Sequence, residues 1–350
     1  MFSTYRREDV TILLKDITGL VKPMGTKERE ALIQGGRHYS EMLPIEYEPT
    51  EKYLRSYYDA LGRYAKVTAE AVAAVSEKIY RQKNADMVLV SLARAGTPIG
   101  ILIRHYLLKR YQIEVPHYTI SIIRGVGIDR NAMDYILARY EPETIQFVDG
   151  WTGKGAIQRE LKKAMQDYPA VSSGLAVLSD PAHVAEKCGT YEDFLIASSC
   201  LNSTVSGLLS RTFLREDIIG PEDFHGAAFY GELMGKDLTY QFIEAVEREF
   251  PVSVKLEDHC NERKFSGMDE VSGIAQAFNI KDINLIKPGI GEATRVLLRR
   301  LPWKLLVHSL SDEERLGHLY ELAREKGVEV VEYPLHNYLA CGLIQSLADN

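Results

Sequence analysis

Residues 144–168 read TIQFVDGWTGKGAIQRELKKAMQDY. The short apolar run TIQFVD breaks at Gly150 into a glycine-containing loop, and a helical pattern, AIQRELKKAMQDY, begins at residue 156. Strand, glycine loop and helix in that order form the unit of a doubly wound α/β sheet. The loop of such a unit lies beyond the carboxyl end of its strand, where these sheets bind ligands. Asp149 is delivered to that edge, and Gly150, Trp151, Thr152, Gly153, Lys154 and Gly155 make the loop. Backbone N–H groups at a helix start suit a phosphate, and Lys154 adds a point charge. The competing reading is a tight turn with no ligand. A P-loop is excluded, because G-x-x-x-x-G-K-[ST] is absent.

The same unit repeats outward from this stretch. AKVTAEAVAAVSEKIYRQ (65–82) is amphipathic at helical spacing, and DMVLVSLA (86–93) reads as a buried strand. Ala93, Arg94, Ala95, Gly96 and Thr97 form its turn, and Pro98 suits the first position of the next helix. PHYTISII (116–123) is a further strand, followed by polar RGVGIDR (124–130), the helix NAMDYILARY (131–140) and, downstream, the strand SGLAVLSD (173–180). The alternation predicts a doubly wound parallel sheet with both loops on one edge. Residues 1–60 mix short helical patterns with turns and read as a segment packed on a core domain of 61–278. From 279 to 350 a helix, a Trp-led strand, a second helix and strand and a closing helix, HNYLACGLIQSL, predict a small α/β/α sandwich.

Bulk properties narrow the function. A chain of 350 residues exceeds the roughly 250–300 at which a single core stops growing. Hydrophobic content of 45% and a net charge of −7 exclude a disordered chain or a polycationic coat, so any nucleic-acid surface is local. No apolar run approaches the roughly 20 residues of a membrane span, and the N-terminus lacks a secretory pattern, so no membrane partner and a cytoplasmic location are expected. Cys188, Cys200, Cys260 and Cys341 show no C-x-x-C spacing, against a zinc knuckle or disulfide scaffold. Residues 281–304 hold six bases and two acids, a local net of +4. Arg295 and Arg299 lie four apart on one helix face with a helix N-terminus nearby, which suits RNA phosphates as well as a solvated basic face.

The two loops resemble those of type I phosphoribosyltransferases. In that family an acidic pair ending a strand holds the ribose hydroxyls, a Thr-Gly loop takes the 5-phosphate of phosphoribosyl diphosphate, and the loop after the first core strand binds diphosphate with Mg2+. The resemblance covers roughly residues 65–200. It implies Asp149 on the ribose and the metal, 152–155 on the phosphate, Arg94 on the diphosphate, Arg124 or Arg130 closing from a mobile loop, and Asp129 near the nucleophile. Gly150 departs from the pattern by standing where a second acid is expected, and the loop is about two residues short. The run Gly289-Ile290-Gly291-Glu292-Ala293-Thr294-Arg295 resembles the Pelota and kink-turn-binding ribosomal protein family, with Gly291 in place of an Asn. That likeness implies RNA contacts from Lys287, Gly289, Gly291, Glu292, Arg295 and Arg299. Together the two halves resemble the phosphoribosyltransferases of bacterial tellurite-resistance and stress operons, some of which are labelled cysteine protease StiP.

The implied activity is Mg2+-dependent phosphoribosyl transfer to an unknown base or nucleoside-like acceptor, coupled to RNA binding, with room for a homodimer. An inactive RNA-binding regulator that senses a phosphorylated ligand is the alternative, favoured by Gly150. A cysteine protease is the other. Its candidate nucleophile is Cys200, with His183, His225 or His259 as partner, although a cysteine beside apolar runs is more often simply packed. His225 with Asp223 as a metal site gives way to a helix cap or turn.

Overall fold

The computed structural model describes residues 2–254, 256 and 266–345. Strands β1 (Thr11–Ile12) and β2 (Lys15–Asp16) precede helices α1 (Thr26–Gln34) and α2 (Glu51–Lys83). The alternation then runs β3 (Val88–Ala93), α3 (Gly96–Tyr111), β4 (His117–Ile123), β5 (Gly127–Ile128), α4 (Arg130–Leu137), β6 (Ile145–Val148), α5 (Ala156–Ala164), β7 (Leu175–Ser179) and β8 (Lys187–Thr190). Strand β9 (Gly226–Ala227) pairs with β2, and α6 (Thr239–Arg248) follows. The C-terminal part holds α7 (Gly267–Ala277), β10 (Ile286–Pro288), α8 (Ile290–Arg299), β11 (Pro302–Val307), α9 (Glu313–Lys326), β12 (Glu329–Glu332) and β13 (Ala340–Ile344).

The main sheet has the order β1-β4-β3-β6-β7-β8, parallel throughout, with β5 turned back antiparallel on β4. Strands β4, β6 and β7 are buried along their whole length, which is why they read as continuous apolar runs. Ala69, Val72 and Ile79 of α2 and Ile101 and Leu102 of α3 belong to the core on one face. Met133 and Ile136 of α4 and Leu161 of α5 belong to the core on the other. The predicted α/β sheet and its helix order are therefore present.

Three readings of the sequence are corrected. Helix α2 starts at Glu51, runs through the expected boundary at 60/61 and buries Tyr57 and Ala60, while β1 joins the sheet edge beside β4. Residues 1–60 are thus part of the sheet domain. At the other end, Val271 and Ile274 of α7 pack with Ile286, Leu306, Cys341 and Leu343, so the C-terminal module begins with α7 rather than at 279. The closing helix is instead strand β13, antiparallel to both β10 and β11 in the order β10-β13-β11-β12. A short apolar run such as ACGLI carries too few residues to separate the two periodicities, and the open edges of its neighbours decide.

Candidate active site

The two glycine loops meet at the carboxyl edge of β3 and β6. A Cβ at Gly96 would overlap the Val148 carbonyl oxygen, so only glycine lets the first loop close on the second. The Ala93–Arg94 peptide is cis, Ala95 is exposed, and the buried Thr97 hydroxyl lies 2.7 Å from that of Thr119. Asp149 directly follows β6, with Oδ1 accepting the Gly150 N–H at 2.8 Å. Burial pushes its carboxyl up to about 7, against the pull of that N–H. Gly150, Trp151 and Thr152 continue the pairing with β7: Leu178 N–H donates to Gly150 O at 2.9 Å and Thr152 N–H to Ser179 O at 3.0 Å. Gly155, at φ +69°, then turns the chain into α5.

Thr152 differs from its implied role. Its hydroxyl donates to Asp180 Oδ1 at 2.5 Å, and Asp180 also accepts from Val184 and Ala185 N–H. With its N–H and hydroxyl both spent inside the fold, Thr152 braces the loop. Lys154 Nζ donates to Ile283 O at 2.5 Å, and Tyr338 of the C-terminal module donates to Gly153 O at 2.6 Å. Burial, followed by the Lys287 and Arg124 charges, pulls the Lys154 amine down to about 8. The module is therefore seated on the implied phosphate loop.

Arg94 reaches Leu209 O at 2.9 Å. Arg124 is exposed in the β4–β5 hairpin and donates to Asn284 Oδ1 at 3.1 Å. Arg130 is turned away to Asp167. Asp129, implied near the nucleophile, is a buried helix cap instead: Oδ1 accepts from Ala132 N–H at 3.1 Å and Oδ2 from His225 N–H at 2.6 Å. Both of its oxygens are committed to backbone. His225 and Asp223 are likewise structural, the former on Ser121 and the latter paired with Lys15.

The RNA-facing residues also sit differently from expectation. The N-terminus of α8 is filled from inside, because Ile290 N–H donates to both oxygens of buried Asp193 at 3.0 and 3.1 Å. Gly291 rests against Ser199, and Arg295 pairs with Glu292 at 3.0 Å. Arg299 points into the domain junction, donating to Cys200 O at 2.6 Å and to Asn202 Oδ1. Helix α8 thus lies along the carboxyl edge of the sheet, and Trp151, Thr152, Ser199, Gly289, Gly291 and Glu292 line the cleft between them.

Charge accumulates along this junction. Lys154 feels Lys287 and Arg124; half-buried Lys287 feels Arg295; Arg299 feels Arg295 and Arg94; and Arg211 feels Arg29 and Arg94. The implied phosphate loop and the C-terminal module, read separately from the sequence, meet at this junction. Arg211, Asp180 and Asp193 were missed because they stand in stretches with no motif. Asp180 does end the apolar run SGLAVLSD, which is its signal, whereas Asp193 stands before one, FLIA (194–197).

The residues present do not make a cage for Mg2+. Asp149 is a lone carboxylate, Asp180 and Asp193 spend their oxygens on internal donors, and no group of three His, Cys, Asp or Glu is placed to hold a metal among the described residues. Cys200 is fully buried, its thiol 3.8 Å from Ser56 O, and burial pushes it up to about 12, so it is protonated at neutral pH. His183 stacks on Tyr191 at 4.2 Å. His259 and Cys260 lie outside the described residues. No helix is long and apolar enough to cross a membrane among those residues.

Residues 3–247 match the family described as tellurite-like stress resistance cysteine protease StiP, and residues 265–346 match the PELOTA RNA binding domain. A relative from Acinetobacter baylyi, named cysteine protease StiP, is 35% identical over 367 aligned positions, covering 98% of this chain and 94% of its own. A hypoxanthine-guanine phosphoribosyltransferase from Bacillus anthracis is 15% identical, covering 36% of this chain and 77% of its own at a TM-score of 0.27. A xanthine-guanine-hypoxanthine phosphoribosyltransferase from Helicobacter pylori is 16% identical, covering 41% and 81% at a TM-score of 0.24.

Proposed function

The chain belongs to the tellurite-like stress resistance cysteine protease StiP family, and on that premise we propose that it transfers a phosphoribosyl group from phosphoribosyl diphosphate to a base or nucleoside-like acceptor, with its PELOTA module binding RNA. The supporting observation is the meeting of two glycine loops, the half-buried Asp149 carboxylate and the Lys154 amine at the carboxyl edge of a parallel sheet. In the proposed reaction the bond from ribose C1 to the diphosphate oxygen breaks, and diphosphate leaves with the electron pair. The acceptor nitrogen bonds to C1 and loses its proton to solvent. Arg94 meets the charge growing on the diphosphate, Asp149 accepts from the ribose hydroxyls, and Lys154 with the loop at the head of α5 holds the 5-phosphate.

Calorimetric titration of phosphoribosyl diphosphate, with and without Mg2+, tests this reading. Micromolar binding to the wild type and its loss in Lys154→Ala are expected; a wild type that binds nothing would sink it. Asp149 gains its charge as pH rises through about 7, so binding should strengthen up to about tenfold from pH 6 to 8, and Asp149→Asn should flatten that rise. Binding without diphosphate release in the presence of any tested base would favour the regulator instead. The name of the Acinetobacter relative favours a second reading, the protease. Buried, protonated Cys200 speaks against that residue as its nucleophile.

A further inference from the structure

We propose that the C-terminal module is a lid over the phosphate loop and that RNA lifts it, so that RNA and phosphoribosyl diphosphate favour the same open form. The lid deepens the phosphoribosyl reading and rests on it for the identity of the small ligand. Three contacts close the module on the loops. Lys154 Nζ donates to Ile283 O at 2.5 Å, the Tyr338 hydroxyl to Gly153 O at 2.6 Å, and Arg124 to Asn284 Oδ1 at 3.1 Å. Behind them Ile290 N–H and Leu339 N–H donate to Asp193, and Gly267 N–H to Ala182 O at 3.0 Å. The cleft between Trp151, Thr152, Gly289 and Glu292 has about 10 Å³ of free space, enough for one water. A phosphate group with its ribose does not enter a space of that size, and the amine meant for it is already engaged by the module. The closed form therefore excludes the ligand, and access requires the module to move.

Helix α8 carries both what holds the lid and what lifts it. Ile290, Ala293 and Leu297 share one apolar core with Phe194 and Ile196, so the closed form predominates. The cations of the same seat have weaker company. Arg299 is held by Cys200 O at 2.6 Å, by Asn202 Oδ1 and by the Tyr53 ring, whose centroid is 5.5 Å away, and each of these is neutral. Half-buried Lys287 stands beside the cleft between buried Ile286 and Pro288, and residues 281–304 carry a net of +4. A cation buried among neutral partners is less stable than one in water. Opening the seat exposes this charge to a polyanion, whose phosphate contacts offset the lost apolar burial. The match of residues 265–346 to an RNA binding domain makes that polyanion RNA. A ligand that binds only the open form shifts the population toward it, so each of the two ligands strengthens the other by the same factor.

A reversible crosslink tests the lid. A Cβ at Gly291 would lie 3.5 Å from Ser199 Cβ, a span that a disulfide closes. The full-length chain carrying Ser199→Cys with Gly291→Cys is oxidised and its crosslink mapped by peptide mass. Phosphoribosyl diphosphate and a mixed-sequence single-stranded RNA are then titrated before and after reduction with dithiothreitol. The locked chain should bind each about tenfold more weakly than the same chain reduced, and recovery on reduction excludes misfolding. In the wild type, saturating RNA should tighten phosphoribosyl diphosphate binding about tenfold, and the reverse titration should return the same factor. Asn284→Ala removes an exposed lid contact and should tighten phosphoribosyl diphosphate binding about threefold without RNA. Equal binding of either ligand by the locked and reduced forms, where that ligand binds at all, overturns the proposal, as does RNA that leaves the wild-type affinity for phosphoribosyl diphosphate unchanged or weakens it. If neither form binds phosphoribosyl diphosphate while RNA binds only the reduced one, the RNA-lifted lid stands and the transferase reading falls. If phosphoribosyl diphosphate binds both forms equally and needs Lys154, the transferase reading stands and the lid falls.

Discussion

The two ends of the parallel sheet treat charge in opposite ways. At the amino end, buried Asp9 accepts from His105 Nε2 at 2.7 Å and from the Tyr240 hydroxyl at 2.6 Å, with Arg104 at 3.6 Å and Glu247 3.3 Å from the other ring nitrogen. His117 alongside is kept neutral, burial pulling it down to about 4. Each acid there faces a base. At the carboxyl end, Arg94, Arg211 and Arg299 face carbonyl oxygens, Lys154 faces Ile283 O, and burial alone pushes Asp149 up. A closed network supports a fold, whereas unbalanced charge at the ligand edge of a sheet is a requirement left for something that binds.

Four outcomes would break or sharpen that contrast. The largest is expected from Asp9→Ala, which leaves His105 and Arg104 beside an empty partner and should cost about 3–5 kcal/mol in urea unfolding. A loss under 1 kcal/mol would mean the amino-end network is ornamental. Thr152→Val should come next, at about 1–3 kcal/mol, because it leaves buried Asp180 short of a donor. Its phosphoribosyl diphosphate affinity should stay within about twofold, and a large loss would restore Thr152 as a ligand contact.

The pH dependence of stability is the third. Burial would lower the His105 pKa, but hydrogen bonds to Asp9 and Glu247 raise it overall. Its contribution is therefore complete below about pH 6.5 and is lost as pH rises through the higher folded value. Burial would raise the Asp9 pKa, but His105 and Tyr240 lower it overall. That contribution is present above about pH 3.9 and is lost as pH falls through the lower folded value. Urea midpoints should fall on both flanks, and His105→Gln should flatten the alkaline one. The smallest effect is expected from Cys200→Ala: about 1 kcal/mol of lost packing and unchanged phosphoribosyl diphosphate binding. If the variant instead abolishes a peptidase activity of the wild type, Cys200 is a nucleophile and its burial is relieved during turnover.

The elements legible in the sequence were those whose signal is local. Strands β3, β4, β6 and β7 stood out because burial on both faces demands unbroken apolar runs, and both glycine loops because turns need particular residues. Strand β8 escaped notice, since Lys187–Thr190 is short and half polar. Of the candidate site, the sequence places Arg94, Asp149 and Lys154 in loops that a strand has just delivered, and the structure brings those two loops together at one edge. Asp129 and Thr152 were misassigned because a carboxylate or hydroxyl beside a glycine loop looks the same whether it caps a backbone or waits for a ligand. Only the partner atoms tell the two apart.

By itself, then, the sequence determined the α/β alternation, the edge on which the loops fall and the presence of a second module whose first part is basic, because periodicity and turn chemistry act over a few residues. Tertiary structure decided that β13 is a strand, that α8 lies against the sheet with its N-terminus closed by Asp193, and that Arg299 reaches Cys200 O across the junction. Those outcomes depend on side chains far apart in the chain meeting across a packed junction. Charge at such a distance carries no pattern in one dimension, and its energy exists only once the junction has formed.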